Sequence, residues 1–451
     1  MDRKREQELK FEIINLLQGK MDLLQAPEER EELVKGALAQ ALSKTEFSDL
    51  IVEFSDENRR IEFIKNFLSY GILTDLLCDF HVEDIIINNL NVIYIHHSEK
   101  GFVPTGKRFE DRRDLELFVK KLLLFAGKGS HVQKIMDLEL PNLQGRVNIA
   151  LSPFGPQITI TKAKQTPLSI IDLIRVGSLN YEVAAQLWMY LEGLSIRPAN
   201  IMIAGGPGVG KTTLLNALFS FIPDTHRIVT IEDTLELNTF LEESCSRLES
   251  DETLTLADLV RNSLRMRPER IIVGEVRGLE ARDMITACNI GKYCIGTIHA
   301  LTSREAIIRL QNEPMNIPEM LVNLIDVFIV LKRYHIQDKL FRVIDEVSET
   351  SGMEQVKILL AKVYKFNYET RTIQRVAPST VFRDKLAQHS GITAKEIMQE
   401  HALRTFLLEQ LDRRSMSTLK EVSSFCRAYN HDRDAAIASL GFNRKELLGI
   451  K

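Results

Sequence analysis

The run Gly205-Gly206-Pro207-Gly208-Val209-Gly210-Lys211-Thr212-Thr213 names a chemistry through its residue types and spacing. It fits GxxxxGK[ST], with an apolar stretch (Ile201 to Ala204) before it and the amphipathic LLNALF after it. A polyphosphate is held when several backbone N–H groups converge on it. That requires a tight turn free of intervening side chains, which glycine permits. The helix expected to start near Lys211 adds its positive end. In this arrangement Lys211 reaches the β- and γ-phosphates and the Thr212 hydroxyl can ligate Mg²⁺, so ATP and Mg²⁺ are the expected cofactors.

Further chemistry-bearing residues follow at the ends of apolar runs. RIVTIEDTLEL places Glu232 and Asp233 at the end of one run, with Glu236 just beyond, and RIIVGE places Glu275 at the end of another. In an open parallel sheet, ligands sit outside the carboxyl ends of the strands, on the same edge as such a loop. Carboxylates there can hold Mg²⁺ through water or polarise an attacking water. Glu232 and Glu275 are therefore the expected catalytic carboxylates and, with Thr212, the expected metal set. GTIHA ends a further run and puts His299 where it could sense the γ-phosphate.

The elements that must position these residues can be read from periodicity. Residues 1–69 read as helical, with Leu9, Ile13, Leu16 and Leu17 forming an apolar stripe behind a basic start. Such a helix could pack on its own protein, on a partner helix or on a membrane surface. Residues 70–163 read as a small α+β domain: VEDIIINN, VIYIHH and GFVPT are short strands, and a helix capped by Asp111 follows. GRVNIALS and QITITKAK then alternate as half-buried strands. A linker over 164–168 leads to an α/β unit over 169–345, in which apolar runs alternate with helices as in a parallel sheet covered on both faces. Residues 346–451 read as a strand-turn segment and a helical extension, with Ser379, Thr393 and Ser417 as candidate caps.

The 451 residues are 44% hydrophobic and 27% charged, an ordinary globular balance. A net charge of −4 argues against a generally basic nucleic-acid binder. Cys78, Cys245, Cys288, Cys294 and Cys426 stand singly with no CxxC pair, which speaks against a zinc site or a disulfide framework and for a reducing compartment. MDRKREQELKFEI lacks the apolar core of a signal peptide, and no apolar run reaches the ~20 residues of a span. Any membrane role is expected to be peripheral.

Together, GGPGVGKTT, TIEDTLEL, RPERIIVGEVRG and GTIHA resemble, in order and spacing, the secretion ATPases of type II secretion, type IV pilus and type IV secretion systems. LPNLQGRVN and PLSIIDLIR resemble the family too, and LQNEPMNIP with the helical tail looks most like its archaeal branch of archaellum and pilus motors. The resemblance implies a RecA-like motor domain behind a mobile N-terminal domain, a homohexameric ring, and docking on an integral-membrane platform protein at the cytoplasmic face. The work would be filament assembly or protein secretion, with no nucleic-acid partner. It makes Arg146, in GRVNIAL, an N-domain arginine that reaches nucleotide phosphates. There are departures: Thr161 stands where the family often has arginine, followed by Lys162, and Gly291-Lys292 replaces the usual Gly-His. Gly274 stands in place of the aspartate of the ordinary second acidic motif, as is the family's habit. A RecA-like nucleic-acid motor would need a basic, aromatic-bearing path, and only 7% of residues are aromatic. A non-hydrolysing nucleotide-gated scaffold is opposed by the intact Glu232 and Glu275.

Overall fold

The computed structural model describes residues 3–128, 133–140, 145–162, 167–238, 244–251, 253–336, 339–355 and 357–447. Two compact units emerge, residues 1–166 with 338–340, and residues 167–337 with 341–451. Residues 141–144 of LPNLQGRVN and 164–166 of the expected linker lie outside the described residues.

The first unit opens with helices α1 (Arg3–Leu17), α2 (Pro27–Leu42), α3 (Glu57–Leu68) and α4 (Thr74–Cys78). Strands β1 (Val82–Asn88), β2 (Tyr94–His97) and β3 (Gly101–Pro104) follow, then helix α5 (Arg112–Phe125). Strands β4 (Ile135–Leu140), β5 (Gly145–Ser152) and β6 (Gly155–Thr161) complete it. The six strands form one sheet in the order β3-β2-β1-β6-β5-β4, and every pair is antiparallel. Asp111 caps α5 as expected, accepting from the Asp114 N–H at 2.9 Å.

The sequence pattern separates 1–69 from the α+β domain, whereas the structure packs both round a single hydrophobic core. Leu9, Ile13 and Leu17 of α1 and Phe63 and Phe67 of α3 share that core with Ile85, Leu122, Val147 and Ile160. A half-covered antiparallel sheet must bury its apolar face, and here the amphipathic helices supply the cover. The apolar stripe of α1 is thereby used inside the protein, which leaves little of it for a membrane.

The second unit begins with α6 (Ile170–Arg175) and α7 (Tyr181–Glu192), followed by β7 (Ile201–Ala204) and α8 (Lys211–Leu218). Next come β8 (Ile228–Glu232), β9 (Cys245–Glu249), α9 (Leu256–Ser263), β10 (Arg270–Val273), α10 (Leu279–Asn289) and β11 (Tyr293–Ile298). After α11 (Ser303–Gln311) and α12 (Glu319–Val322) the chain runs through β12 (Val327–Ile336), β13 (Lys339–Glu354), β14 (Lys357–Asn367) and β15 (Thr372–Arg375). Its strands make one nine-stranded sheet, β15-β14-β13-β12-β7-β11-β10-β8-β9. From β12 to β9 all neighbours are parallel. β7 lies inside the sheet between β11 and β12, and all four of its residues are buried. Cores form on both faces, as a parallel sheet requires.

The periodicity places the end of this unit at 345, but β13 runs straight across that point. The cause is buried acid. Asp345 binds Lys332 and Lys365, Glu346 binds Ser303, Ser348 and Lys362, and Glu349 accepts from Tyr190. A strand whose acids are buried and paired reads as polar surface in the sequence.

The tail forms α13 (Val381–Ser390), α14 (Ala394–Arg413), α15 (Leu419–His431), α16 (Arg433–Ser439) and α17 (Arg444–Leu447). Thr393 and Thr418 close capping boxes, so the expected cap at 417 falls one residue later. Ser379 instead donates to Glu349, whose Oε2 accepts the Val381 and Phe382 N–H groups at the start of α13. Arg404 of α14 is fully buried and pairs with Glu192 of α7 at 2.7 Å and Glu400 at 2.9 Å. Its guanidinium lies 4.7 Å from the Trp188 ring centroid, and Trp188 stacks on Phe221. Among the described residues no helix is long and apolar enough to cross a membrane.

Trp188 is the single tryptophan, so its fluorescence reports this core directly. Arg404→Ala would leave Glu192 buried without its cation and is expected to cost about 3–5 kcal/mol. Urea unfolding followed at Trp188 measures this, and a loss below about 1 kcal/mol would show that the pair contributes no more than a surface bridge.

Candidate functional site

The glycine-rich loop joins β7 to α8 at the carboxyl edge of the parallel strands. Gly208 and Gly210 have φ of 66° and 95°, backbone that side chains rarely adopt. Gly210 is the N-cap of α8, so the helix starts at Lys211 as expected. Lys211 turns its ammonium back on the loop, donating to the Gly205 and Gly206 carbonyls at 3.0 Å each. Burial, the larger influence, lowers its pKa, while Glu275 and Glu236 oppose that shift.

Lys211 also meets His299, with Nζ 3.5 Å from Nδ1. On the far side of the ring, His299 Nε2 lies 3.1 Å from Glu275 Oε1. The tautomer follows from these neighbours. An ammonium can only donate, so Nδ1 accepts from Lys211 and Nε2 carries the proton toward the carboxylate. Desolvation, then Lys211, hold the imidazole pKa below its ordinary value despite Glu275, which keeps the ring neutral near pH 7. Three residues picked out from separate motifs thus form one chain, Lys211–His299–Glu275. Glu275 and His299 follow the ends of β10 and β11, and Lys211 opens α8 after the loop that leaves β7; the three strands lie side by side.

Glu232 ends β8 as expected but lies apart from that chain of contacts. It is only 3% exposed. Its Oε1 accepts the Glu236 and Leu237 N–H groups, both at 3.0 Å, and its Oε2 is buried with no hydrogen-bond partner among the described residues. Gly274 makes room for it, since a Cβ there would stand 3.0 Å from Glu232 Cγ. A side chain at 274 would press on Glu232, which would have to give way by a few tenths of an ångström. Burial pushes the Glu232 carboxyl up to about 7, with the two backbone donors acting against it. Glu232 therefore braces the turn that delivers Glu236.

That turn contributes Glu236, to which the sequence pattern alone assigns no role. The Thr212 hydroxyl donates to Glu236 Oε2 at 3.3 Å. A hydroxyl and a carboxylate brought together at a phosphate loop are the hard oxygen donors Mg²⁺ takes, usually with water in the remaining positions. Thr212 and Glu236 fit the ion, with Glu275 on the same sheet edge, whereas Glu232 is enclosed. A signal for Glu236 existed in its position four residues beyond the strand-end glutamate, but only the fold of the turn shows it facing Thr212. Asp233 pairs with Arg277 and accepts from Ser250, which ties the two acidic loops together.

Arg146 is an exposed residue of β5 in the first unit, opposite Glu139 and Thr161 in the strand register and next to the core residue Val147. Lys162 is engaged within that unit, donating to the Asp79 carbonyl at 2.7 Å, near the end of α4.

The model of the Type II/IV secretion system protein family matches residues 133–377, more than half of the 451. The chain belongs to the Type II/IV secretion system protein family. An uncharacterized protein of Methanocaldococcus jannaschii is 30% identical over 403 residues, covering 85% of this chain and 72% of the relative. A probable conjugal transfer protein TrbB of Sinorhizobium fredii is 27% identical, over 58% of this chain and 83% of that protein. Among solved structures, the Brucella suis VirB11 ATPase of a type IV secretion system, in complex with sulphate, aligns at 25% identity. It covers 61% of this chain and 92% of its own, with a TM-score of 0.33. The Yersinia pseudotuberculosis ATPase DotB aligns at 17% identity over 79% and 92%, with a TM-score of 0.48. In this chain an α/β unit with a parallel sheet carries the loop, and a smaller α+β unit precedes it, as described above.

The raised carboxyl of Glu232 has a stability signature. Between the ordinary carboxylate value and about 7 the folded protein keeps a proton that the unfolded chain has released. Stability is therefore highest below that window and falls as pH rises through it, by about 1.4 kcal/mol per pH unit. Glu232→Gln removes the titration, so its melting temperature relative to the parent should climb from pH 5 to pH 8. A difference that stays flat across that range would mean that Glu232 ionises as an ordinary carboxylate.

Proposed function

We propose that this chain is an ATP-hydrolysing motor that works as a homohexameric ring at the cytoplasmic face of a membrane. It powers assembly of a type IV pilus- or archaellum-like filament, or protein secretion, through an integral-membrane platform protein. The observation that carries the catalytic part is the Lys211–His299–Glu275 chain on the phosphate-loop edge of a parallel sheet. Membership of the secretion family supports the mechanical part, and the archaeal relative that spans most of the chain supports the archaeal branch.

In this mechanism the loop amides and the end of α8 grip the phosphates, and Lys211 gives up its contacts with the Gly205 and Gly206 carbonyls to meet the β- and γ-oxygens. Thr212 and Glu236 would hold Mg²⁺, which would supply positive charge at the site. Glu275, at the half-exposed end of the chain, orients a water and accepts its proton as the oxygen attacks the γ-phosphorus. Neutral His299 holds Glu275 through Nε2–H and reads the position of Lys211 through Nδ1, which makes the carboxylate responsive to the phosphate. The exposed Arg146 is assigned the offsetting charge on the transferred phosphoryl group, delivered by domain closure from its own or a neighbouring subunit.

Lys211→Ala should abolish Mg²⁺-dependent phosphate release from ATP, and parent-like turnover would remove the loop from the mechanism. Glu275→Gln should keep nucleotide binding and lose turnover, since shape is kept and charge is lost. Equal loss of both would make Glu275 a holding residue instead. Arg146→Ala should lower turnover by ~10³-fold or more. Mixing Arg146→Ala with Lys211→Ala subunits should then restore activity if the arginine acts across a subunit boundary, while no recovery in verified mixed rings would place its action within one chain.

A further inference from the structure

Strand β12 presents alternate residues to opposite faces of the sheet. Lys332 and Tyr334 point to one face and both reach Asp345 of β13, at 2.9 and 2.8 Å. Leu331 points to the other, where its Cβ lies 3.5 Å from the place a Cβ on Gly205 would occupy. Two residues on, Arg333 shares the Leu331 face, and its Nη1 lies 3.7 Å from the place of a Cβ on Gly208. Arg342 of β13 arrives at the same loop. Its Nε donates to the Gly208 carbonyl at 3.0 Å, and its Cδ is 4.0 Å from the Cβ position of Gly210.

Two guanidinium groups therefore flank the glycine-rich loop from the same unit that carries Lys211 and the positive end of α8. Arg333 is exposed and makes no hydrogen bond or ion pair among the described residues. Its neighbours on the strand differ, because Lys332 is spent on Asp345. Like charges gathered round one loop repel each other unless an anion lies among them. A planar guanidinium suits phosphate oxygens, which it can meet through two parallel N–H bonds. Neither residue belongs to a local motif, and each reaches the loop only because β12 lies directly beside β7.

We propose that Arg333 and Arg342 clasp the phosphate chain of a bound nucleotide from within its own subunit. The β12–β13 pair would then form the second wall of the phosphate site. This rests on the nucleotide-binding reading above and adds the residues that set affinity for the polyphosphate. It is separate from Arg146, which lies in the other unit. Arg342 also holds the loop through Gly208, whereas Arg333 makes no hydrogen bond or ion pair among the described residues and is left to the ligand.

The test uses the full-length chain with Mg²⁺, titrated with ATP and with inorganic tripolyphosphate in competition with a fluorescent ADP. Arg333→Ala should weaken both by about tenfold, the scale of one hydrogen bond to a charged group, with the unfolding midpoint unchanged. Arg333→Glu should weaken both further. Parent-like affinity for both ligands in Arg333→Ala would overturn the clasp while leaving the nucleotide reading intact. Loss of ATP affinity with tripolyphosphate affinity retained would place Arg333 on the base or ribose and would also overturn it. A parent protein that binds neither ligand would bring down the nucleotide reading itself, and the clasp with it.

Discussion

The ammonium of Lys211 has to be kept charged in a place where burial works against its charge. The edge of the parallel sheet is organised round that requirement. Two loop carbonyls face it, an imidazole accepts from it, and Glu275 behind the imidazole supplies the balancing negative charge. Each of these groups comes from a different strand end, so the arrangement exists only if β7, β10 and β11 run parallel and in register. The pairings of Thr297 with Ile203 and of Val273 with Gly296 fix that register. A slip of one residue would turn the side chains of the affected strand to the opposite face and break the relay.

A second constraint is the volume given up at Gly274. Removing one side chain there lets Glu232 lie flat across the end of β10, where it accepts the two amides that open the Glu236 turn. The carboxylate that caps a turn and the one that can meet a metal are thus different residues four positions apart. The local backbone explains the division of labour: Glu232 ends a fully buried strand, while Glu236 follows the first residues free to turn outward. A buried acid with one unsatisfied oxygen costs stability. The protein tolerates that cost where it fixes the geometry of the loop facing Thr212.

Legibility in the sequence followed the range of the physics. The phosphate loop could be read because its demands are local: positive φ at Gly208 and Gly210, a buried strand before, a helix after. Glu275 and His299 could be read because both end short apolar strands, and strand ends share one edge. Glu232 met the same rule, yet its burial depends on Gly274 across the sheet, which no local pattern records. Arg333 and Arg342 went unremarked because they sit in strands whose only signal is alternation, and what they face is set by the order of strands. The continuation of the sheet through β13 was hidden for a related reason. Asp345, Glu346 and Glu349 look like surface residues until their cations and hydroxyls are found beside them. The stripe on α1 was legible as a stripe, but not which core would absorb it.

The sheet order also bears on how work could be extracted from this site. β7 has two neighbours, β11 carrying His299 and β12 carrying Arg333, so any charge held in the loop acts on both flanks of a single central strand. On the β11 side the response passes through an imidazole to Glu275, the group assigned to the chemistry. On the β12 side it passes through Arg342 and the long β13 strand to Glu349, which caps α13 and receives the Tyr190 hydroxyl of α7. Helix α7 in turn is tied to α14 by the buried Arg404–Glu192 pair. A continuous series of strand, cap and ion pair therefore connects the phosphate loop to the tail helices. Interfaces of this kind, close-packed and pinned by buried charge, shift between discrete arrangements rather than deforming gradually. On the motor reading proposed above, these contacts are the physical route by which a bond broken at the loop would reach the far side of the unit.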